Sequence, residues 1–269
     1  MTAPFPTRAQ EAWRYADLDA LAPVWEQLGD AATLVVAAGE SLEEVWLPTA
    51  DPVQVRRVQL SLGEGARARI FALNAAEQYG RVELEVTLAA DADFALYGAN
   101  IGGGASNNEF VTNVRHQGER GVSRQTIRSV LGGKATGSYL GKVAVARGAQ
   151  QVDGEQSIKA MLLDRGATAN CKPELEIYAD DVKCAHGASI GELDPQQLFY
   201  AMSRGLDPAS ARALLLEGFV MDLWEGARDG AAIAEAARQA LRRISSSPER
   251  GWGPSRTRSG MVEGAACQA

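Results

Sequence analysis

The stretch Asn170–Gly191, N-C-K-P-E-L-E-I-Y-A-D-D-V-K-C-A-H-G-A-S-I-G, sets the terms for the rest of the chain. Leu175 and Ile177 face one way, Glu176 and Tyr178 the other, which is the period of a β-strand. Asp180-Asp181 reads as a turn with solvated carboxylates, because adjacent carboxylates on a strand would point to opposite faces and could not share one substrate bond. If Val182-Lys183-Cys184-Ala185-His186 is extended as well, Cys184 and His186 sit two apart on the same side. A thiol and an imidazole on one face make half a site for a soft metal or an iron–sulfur intermediate. Two ligands do not close a site, so the others must come from elsewhere. On spacing alone, a small buried thiol beside a hydrogen-bonded histidine is the stronger reading.

The same period of two extends back to Thr33. Val53 and Val55 alternate with polar neighbours and, after a break, so do Val58, Leu60 and Leu62. Ala66, Ala68, Ile70 and Ala72 follow, then Val82, Leu84, Val86 and Leu88. Phe94 and Leu96, then Leu140, Val143 and Val145, then Ile158, Ala160 and Leu162 complete the set. Gly, Asp and Asn separate the runs and leave no room for crossover helices. Gly-Ala pairs at 65–66, 148–149, 166–167 and 187–188 suggest a loose repeat of about twenty residues, the mark of a β-solenoid. The expected fold is therefore mainly β, a parallel β-solenoid core over 31–192, with a two-sheet sandwich as the alternative.

Helical patterns flank this core. Residues 1–30 form an N-terminal helical segment, with Leu18, Leu21, Trp25 and Leu28 on one stripe of a helix over 8–28. In Glu11-Ala12-Trp13-Arg14-Tyr15, the aromatics read as pinning that helix to the chain after it rather than as a binding site. Residues 193–244 form a C-terminal helical domain. Asp194-Pro195 and Asp207-Pro208 each supply an N-cap followed by proline at the first helical position. One helix carries Leu198, Phe199 and Met202. The next carries Ala211, Leu214, Leu215, Gly218, Phe219 and Leu223, and a third Ile233, Ala237, Leu241 and Ile244. Residues 245–269 lack periodicity and read as a disordered tail, where Cys267 is poorly placed to be a structural ligand.

Composition narrows the function. The chain has 269 residues, 46% hydrophobic, with a formal net charge of −7, which argues against nucleic acid or an anionic membrane as partner. No run approaches the ~20 apolar residues of a membrane span. The start lacks a signal-peptide pattern, and three cysteines do not read as a disulfide framework, so a cytoplasmic, reduced location is expected. Gly132-Gly133-Lys134-Ala135 fails as a phosphate loop, with Arg128 and Ala135 at two required positions. Ile101-Gly102-Gly103-Gly104 has Asn107 where a dinucleotide loop needs its third glycine. There is no Gly-x-Ser-x-Gly, His-Glu-x-x-His or Cys-x-x-Cys. Of the two histidines, His116 lies in a polar segment near a corner and reads as an ordinary exposed residue.

The block Lys172–Ala188, K-P-E-L-E-I-Y-A-D-D-V-K-C-A-H-G-A, followed by Gln197-Leu198-Phe199-Tyr200 and Ser203-Arg204-Gly205, resembles the SufB/SufD family of iron–sulfur cluster assembly proteins. Glu11-Ala12-Trp13-Arg14-Tyr15 resembles that family's N-terminal motif, and the likeness runs from about residue 6 to 244. Lys183-Cys184-Ala185-His186-Gly187-Ala188 is similar to the SufD form. The resemblance implies a right-handed parallel β-helix with helical regions on either side. It implies a non-enzymatic scaffold subunit that pairs with SufB edge to edge and docks the SufC ATPase through C-terminal helices, here Leu198, Phe199, Leu215 and Phe219. It implies that His186, and with less support Cys184, meets a nascent iron–sulfur cluster shared with SufB, while Cys171 has no family role. Flavin is associated with such complexes, but no flavin motif is present. Homodimer formation in isolation stays open. The chain is shorter than the longest family members, so its N-terminal region is expected to be abbreviated, and the tail after Ile244 has no counterpart in the family. A β-solenoid carbohydrate-active enzyme is the alternative; it would need a cleft of convergent carboxylates.

Overall fold

A computed structural model describes residues 4–245. Its strands are β1 (Ala32–Val36), β2 (Ser41–Trp46), β3 (Val53–Leu62), β4 (Arg67–Asn74), β5 (Tyr79–Leu88) and β6 (Asp93–Gly102). They continue as β7 (Asn107–His116), β8 (Val122–Leu131), β9 (Thr136–Val145), β10 (Val152–Leu162), β11 (Thr168–Ile177) and β12 (Val182–Glu192). The odd strands form one six-stranded sheet in the order β1-β3-β5-β7-β9-β11 and the even strands a second, β12-β10-β8-β6-β4-β2. Every strand pairing is parallel. The chain crosses from one sheet to the other at each corner, so two successive strands make one coil of a solenoid. A sandwich of antiparallel strands is excluded.

The coil is longer than the expected twenty residues. Left-handed backbone recurs at Gly39, Gly65, Asp91, Arg120 and Gln151, steps of 26, 26, 29 and 31. Each of these donates its N–H to a carbonyl in the next coil's corner, on Glu64, Ala90, Glu119, Gln150 and Asp181 respectively. Two strands of about ten residues plus two corners need that length. The Gly-Ala pairs mislead because they sample different places: two lie in corners of this column, Gly166-Ala167 lies in an opposite corner, and Gly187-Ala188 lies within β12. The glycine-rich runs rejected as nucleotide loops are stacked corners of the opposite column. Gly133 has a positive φ, and a Cβ there would meet the Gly104 carbonyl oxygen at 2.8 Å.

Alternation decides what each face covers. Val58, Leu60 and Leu62, Ala68 and Ile70, Val82 to Leu88 on the even positions, Phe94 and Leu96 fill the space between the sheets. Val53 and Val55, on the opposite parity, pack outward against Trp13, Leu21 and Tyr79. The break noted in the hydrophobic pattern of β3 is therefore a change of face. The expected helix over 8–28 is instead three short pieces: a 3-10 turn at Glu11–Trp13, α1 (Leu18–Leu21) and a 3-10 segment at Ala22–Gln27. Pro23 falls at the start of the last piece and interrupts a continuous helix. Trp13 is buried with its ring 3.7 Å from the Arg81 guanidinium carbon, and Arg81 donates to the Ala12 carbonyl at 2.9 Å. These contacts pin the segment across the outer face of the odd-strand sheet.

The C-terminal helices fold back on the outer face of the even-strand sheet. They are α2 (Pro195–Ser203), α3 (Pro208–Val220), a 3-10 turn Met221–Trp224 and α4 (Gly230–Ser245). Asp194 and Asp207 cap α2 and α3 as expected, and Gly205 follows α2 with φ +99°. Ile233, Ala237 and Leu241 of α4 are buried against Phe71, Leu73, Ala99, Ile101 and Val130 of the sheet. For α3 the stripe differs from expectation: Leu216 and Val220 are buried and Leu214 is 57% exposed. That helix is apolar on nearly every side, so its own periodicity does not select a face. Beyond Ser245, which ends α4, the expected tail and Cys267 lie outside the described residues.

Candidate functional site

Both sheets stop at the last coil, β11 and β12, and among the described residues each of these strands leaves one edge unpaired. Along β12 the alternation buries Cys184 and half-buries Val182, His186 and Ala188, while Lys183, Ala185 and Gly187 are exposed. Cys184 and His186 thus share a face, as their spacing predicted. That face is the inner one, with Cys184 packed in the core and Val182 and Ala188 against it. Because no further coil covers it, the imidazole stays half-exposed at the open end of the solenoid. A Cβ on Gly154, the strand partner of Cys184, would meet the Cys184 sulfur at 3.3 Å, so glycine makes room for the thiol.

On the facing edge strand, Cys171, Leu175 and Ile177 pack against the same core. Burial pushes the Cys171 thiol up to about 11 and raises Cys184 as well, so both thiols are protonated near neutrality. Among the described residues, no three of His, Cys, Asp and Glu converge closely enough to hold a metal ion. Asp180 and Asp181 are exposed in the β11–β12 corner, where Asp181 takes the Gln151 N–H on its carbonyl and bonds Gln150 through its own N–H. They are turn residues, as expected.

His116 overturns its expectation. It ends β7 on the inner face, 1% exposed, with Nε2 2.9 Å from the Ser123 hydroxyl. Burial pushes its pKa down to about 4, so it is a neutral core histidine. Of the polar neighbours that suggested exposure, Asn113 and Arg115 sit on the opposite face of β7, and Gln117-Gly118 belong to the corner after it.

The interior itself turns polar in the coils next to the open end, which the sequence pattern does not disclose. Thr112 donates to Gln125 Oε1 at 2.7 Å, Tyr139 donates to the same oxygen at 3.1 Å, and Gln156 Nε2 donates to the Tyr139 hydroxyl at 3.0 Å. All four residues are buried. The signal for them is available only with the coil length: Gln125, Gln156 and His186 occupy one register column.

The helical residues expected as docking points separate into two groups. Leu198, Leu215 and Phe219 are half-buried against the helical core, whereas Phe199 is 73% exposed. Tyr200, Leu206 and Leu214 are exposed beside it and line a groove of about 480 Å³ with Ala201 and Arg204. Among the described residues, no helix is long and apolar enough to cross a membrane.

Residues 32–219 match the family model for the SUF system FeS cluster assembly SufBD core domain. The chain is 38% identical over 107 residues to the iron–sulfur cluster assembly protein SufD of Escherichia coli K12, covering 40% of this chain and 25% of that protein. It is 30% identical over 176 residues to an iron–sulfur cluster assembly SufBD family protein of Synechocystis, covering 64% and 38%. Against Bacillus subtilis SufD it is 32% identical over 120 residues, covering 45% and 28%. The matched stretches therefore span well under half of these relatives' own lengths.

Proposed function

The chain belongs to the SufB/SufD family of the SUF iron–sulfur cluster assembly system and is SufD-like, and from that premise we propose that it is a non-catalytic scaffold subunit. In this reading it is cytoplasmic, pairs with a SufB through the open end of its solenoid, and docks a SufC ATPase on α2 and α3. His186 offers an imidazole nitrogen to a nascent cluster, with the remaining ligands supplied by the partner.

The observation that carries the proposal is the half-exposed inner face of β12 beside two unpaired edges. An unpaired edge is a template for strand addition, and here both last strands, ten and eleven residues long, present one. Pairing there covers the apolar mouth and brings the partner's side chains opposite His186. Cys184 ranks second as a ligand because its buried thiol must lose a proton to bind metal. For SufC, the exposed Phe199, Tyr200 and Leu214 offer apolar anchors that α2 and α3 do not use internally.

Co-expression with SufB and SufC, anaerobic purification and an absorption spectrum test the assignment. His186→Ala should remove the cluster absorption while SufC still co-purifies; a cluster of unchanged intensity refutes the ligand role. Phe199→Asp with Leu214→Asp should lose SufC and keep SufB. These two sites are preferred to Phe219, whose partial burial would confuse docking with folding.

A further inference from the structure

We propose that Gln156 is the positioning residue for His186: a rotation of the half-exposed imidazole brings its N–H onto the Gln156 carboxamide oxygen, so that the other ring nitrogen faces the open end. The inference rests on the reading of His186 as a cluster ligand and adds to it the group that fixes the ring.

Three observations lead there. Gln156 is the strand partner of His186 in the parallel β10–β12 register. Paired side chains on one face of parallel strands stack at a spacing of about 4.8 Å, within reach of an amide and a ring. Second, the orientation of the Gln156 amide is set from inside the solenoid. The Tyr139 O–H donates to Gln125 Oε1 at 3.1 Å, with the Thr112 hydroxyl 3.3 Å away, and its oxygen takes Gln156 Nε2 at 3.0 Å. This leaves Gln156 Oε1 as the free atom. Third, that oxygen is fully buried and has no hydrogen-bond partner, on a residue 1% exposed. His186, stacked next in the column, has no hydrogen-bond partner among the described residues either. A buried acceptor and an unpartnered donor on neighbouring strands complete each other.

The chemistry gives the arrangement a purpose. A neutral imidazole ligates through its bare nitrogen, and the hydrogen bond made by the other nitrogen decides which one that is. The chain Thr112–Gln125–Tyr139–Gln156 anchors the acceptor to the solenoid wall rather than to a mobile surface. Such anchoring accounts for four buried polar side chains in a core that is apolar in its earlier coils. The competing partner is Gln125 Nε2, which is also unpartnered and stacks on the other side of Gln156; as the side chains stand, neither it nor His186 bonds the Gln156 oxygen.

Long-range ¹H–¹⁵N correlation of the histidine ring nitrogens, on the labelled full chain at pH 8 without metal, separates these cases. The sequence has two histidines, and His186→Asn assigns the signals. Wild type should show His186 as one tautomer, with one ring nitrogen protonated and one bare. Gln156→Leu should collapse this to the averaged pattern of a ring exchanging between tautomers, with His116 unmoved as the report of an intact fold. Tyr139→Phe, which frees the Gln156 amide without removing it, should give an intermediate pattern and decides the matter if Gln156→Leu loses the His116 signals. A tautomer mixture in wild type, or a His186 pattern indifferent to both substitutions, overturns the proposal and assigns the free oxygen to Gln125. The ligand role fails separately: if His186→Ala still assembles clusters while Gln156→Leu releases the tautomer, positioning stands and ligation falls.

Discussion

Replacing Arg81 by Met tests the anchor that holds the N-terminal segment to the solenoid. The Arg81 guanidinium is fully buried, 2.8 Å from the Glu109 carboxylate and 2.7 Å from Glu83. It also donates to the Ala12 carbonyl, lies against the Trp13 ring, and shares Glu109 with the Tyr79 hydroxyl. Methionine keeps the volume and removes all of these at once, leaving Glu109, itself unexposed, with an uncompensated charge. Breaking one side of a buried pair costs about 3–5 kcal/mol, a large share of the ~5–15 kcal/mol stability of a typical protein. With a urea slope of about 2 kcal/mol/M, the unfolding midpoint should fall by about 1.5–2.5 M. Tryptophan fluorescence follows the transition, since Trp13 sits on the lost group. The double variant Arg81→Met/Glu109→Leu should recover most of the loss, because it removes both charges rather than orphaning one. A single-variant loss below about 1 kcal/mol, or a double variant no better than the single, would refute the claim that this pair is a mutually dependent anchor.

Two further outcomes concern titration. His116 has a folded pKa near 4, below its ordinary value of about 6.5, so only the unfolded chain takes up its proton between those values. Stability should therefore decline as pH falls from 6.5 to 4, by up to about 3 kcal/mol from this residue. His116→Gln should flatten that part of the profile in urea titrations from pH 4 to 8; an unchanged slope would count against a buried neutral ring. The Cys171 thiol, raised to about 11, holds about a thousandth of its population as thiolate at pH 8. In a Cys267→Ser background its alkylation by iodoacetamide, read by mass spectrometry, should lag a free thiol by at least 100-fold. Complete modification within minutes at that pH would show that the open end does not shield it.

The period-two runs are enough to place most of the even-position core, because a side chain's face on a strand depends only on parity. The even-numbered apolar residues within 58–62, 66–72 and 82–88 lie inward, as their alternation predicts. Asp-Pro at 194 and 207 announces two helix starts because capping is settled between one side chain and the first free N–H groups. The Cys184–His186 pair is legible for the same reason as the strands. Where the signal is not local, the pattern gives no guidance. The coil length is hidden because left-handed corner positions are filled by Gly, Asp, Arg and Gln alike, held by inter-coil hydrogen bonds rather than by one residue type. The pinning role of Trp13 is expected, but its partner Arg81 is not, since nothing in the sequence pairs residues 68 positions apart.

By itself, then, the sequence determined a parallel solenoid with capped helices after it, a thiol and an imidazole on one strand face, and a family resemblance concentrated in residues 172–188. Tertiary structure decided which of two faces counts as inside, that His116 is sealed while His186 stands at the mouth, and that α3 buries Leu216 in place of Leu214. The physical reason is that parity and capping are settled within a few residues of chain, whereas burial at a solenoid's end depends on whether another coil covers it. Only the stacking of coils some thirty residues apart brings Gln125, Gln156 and His186 into one column.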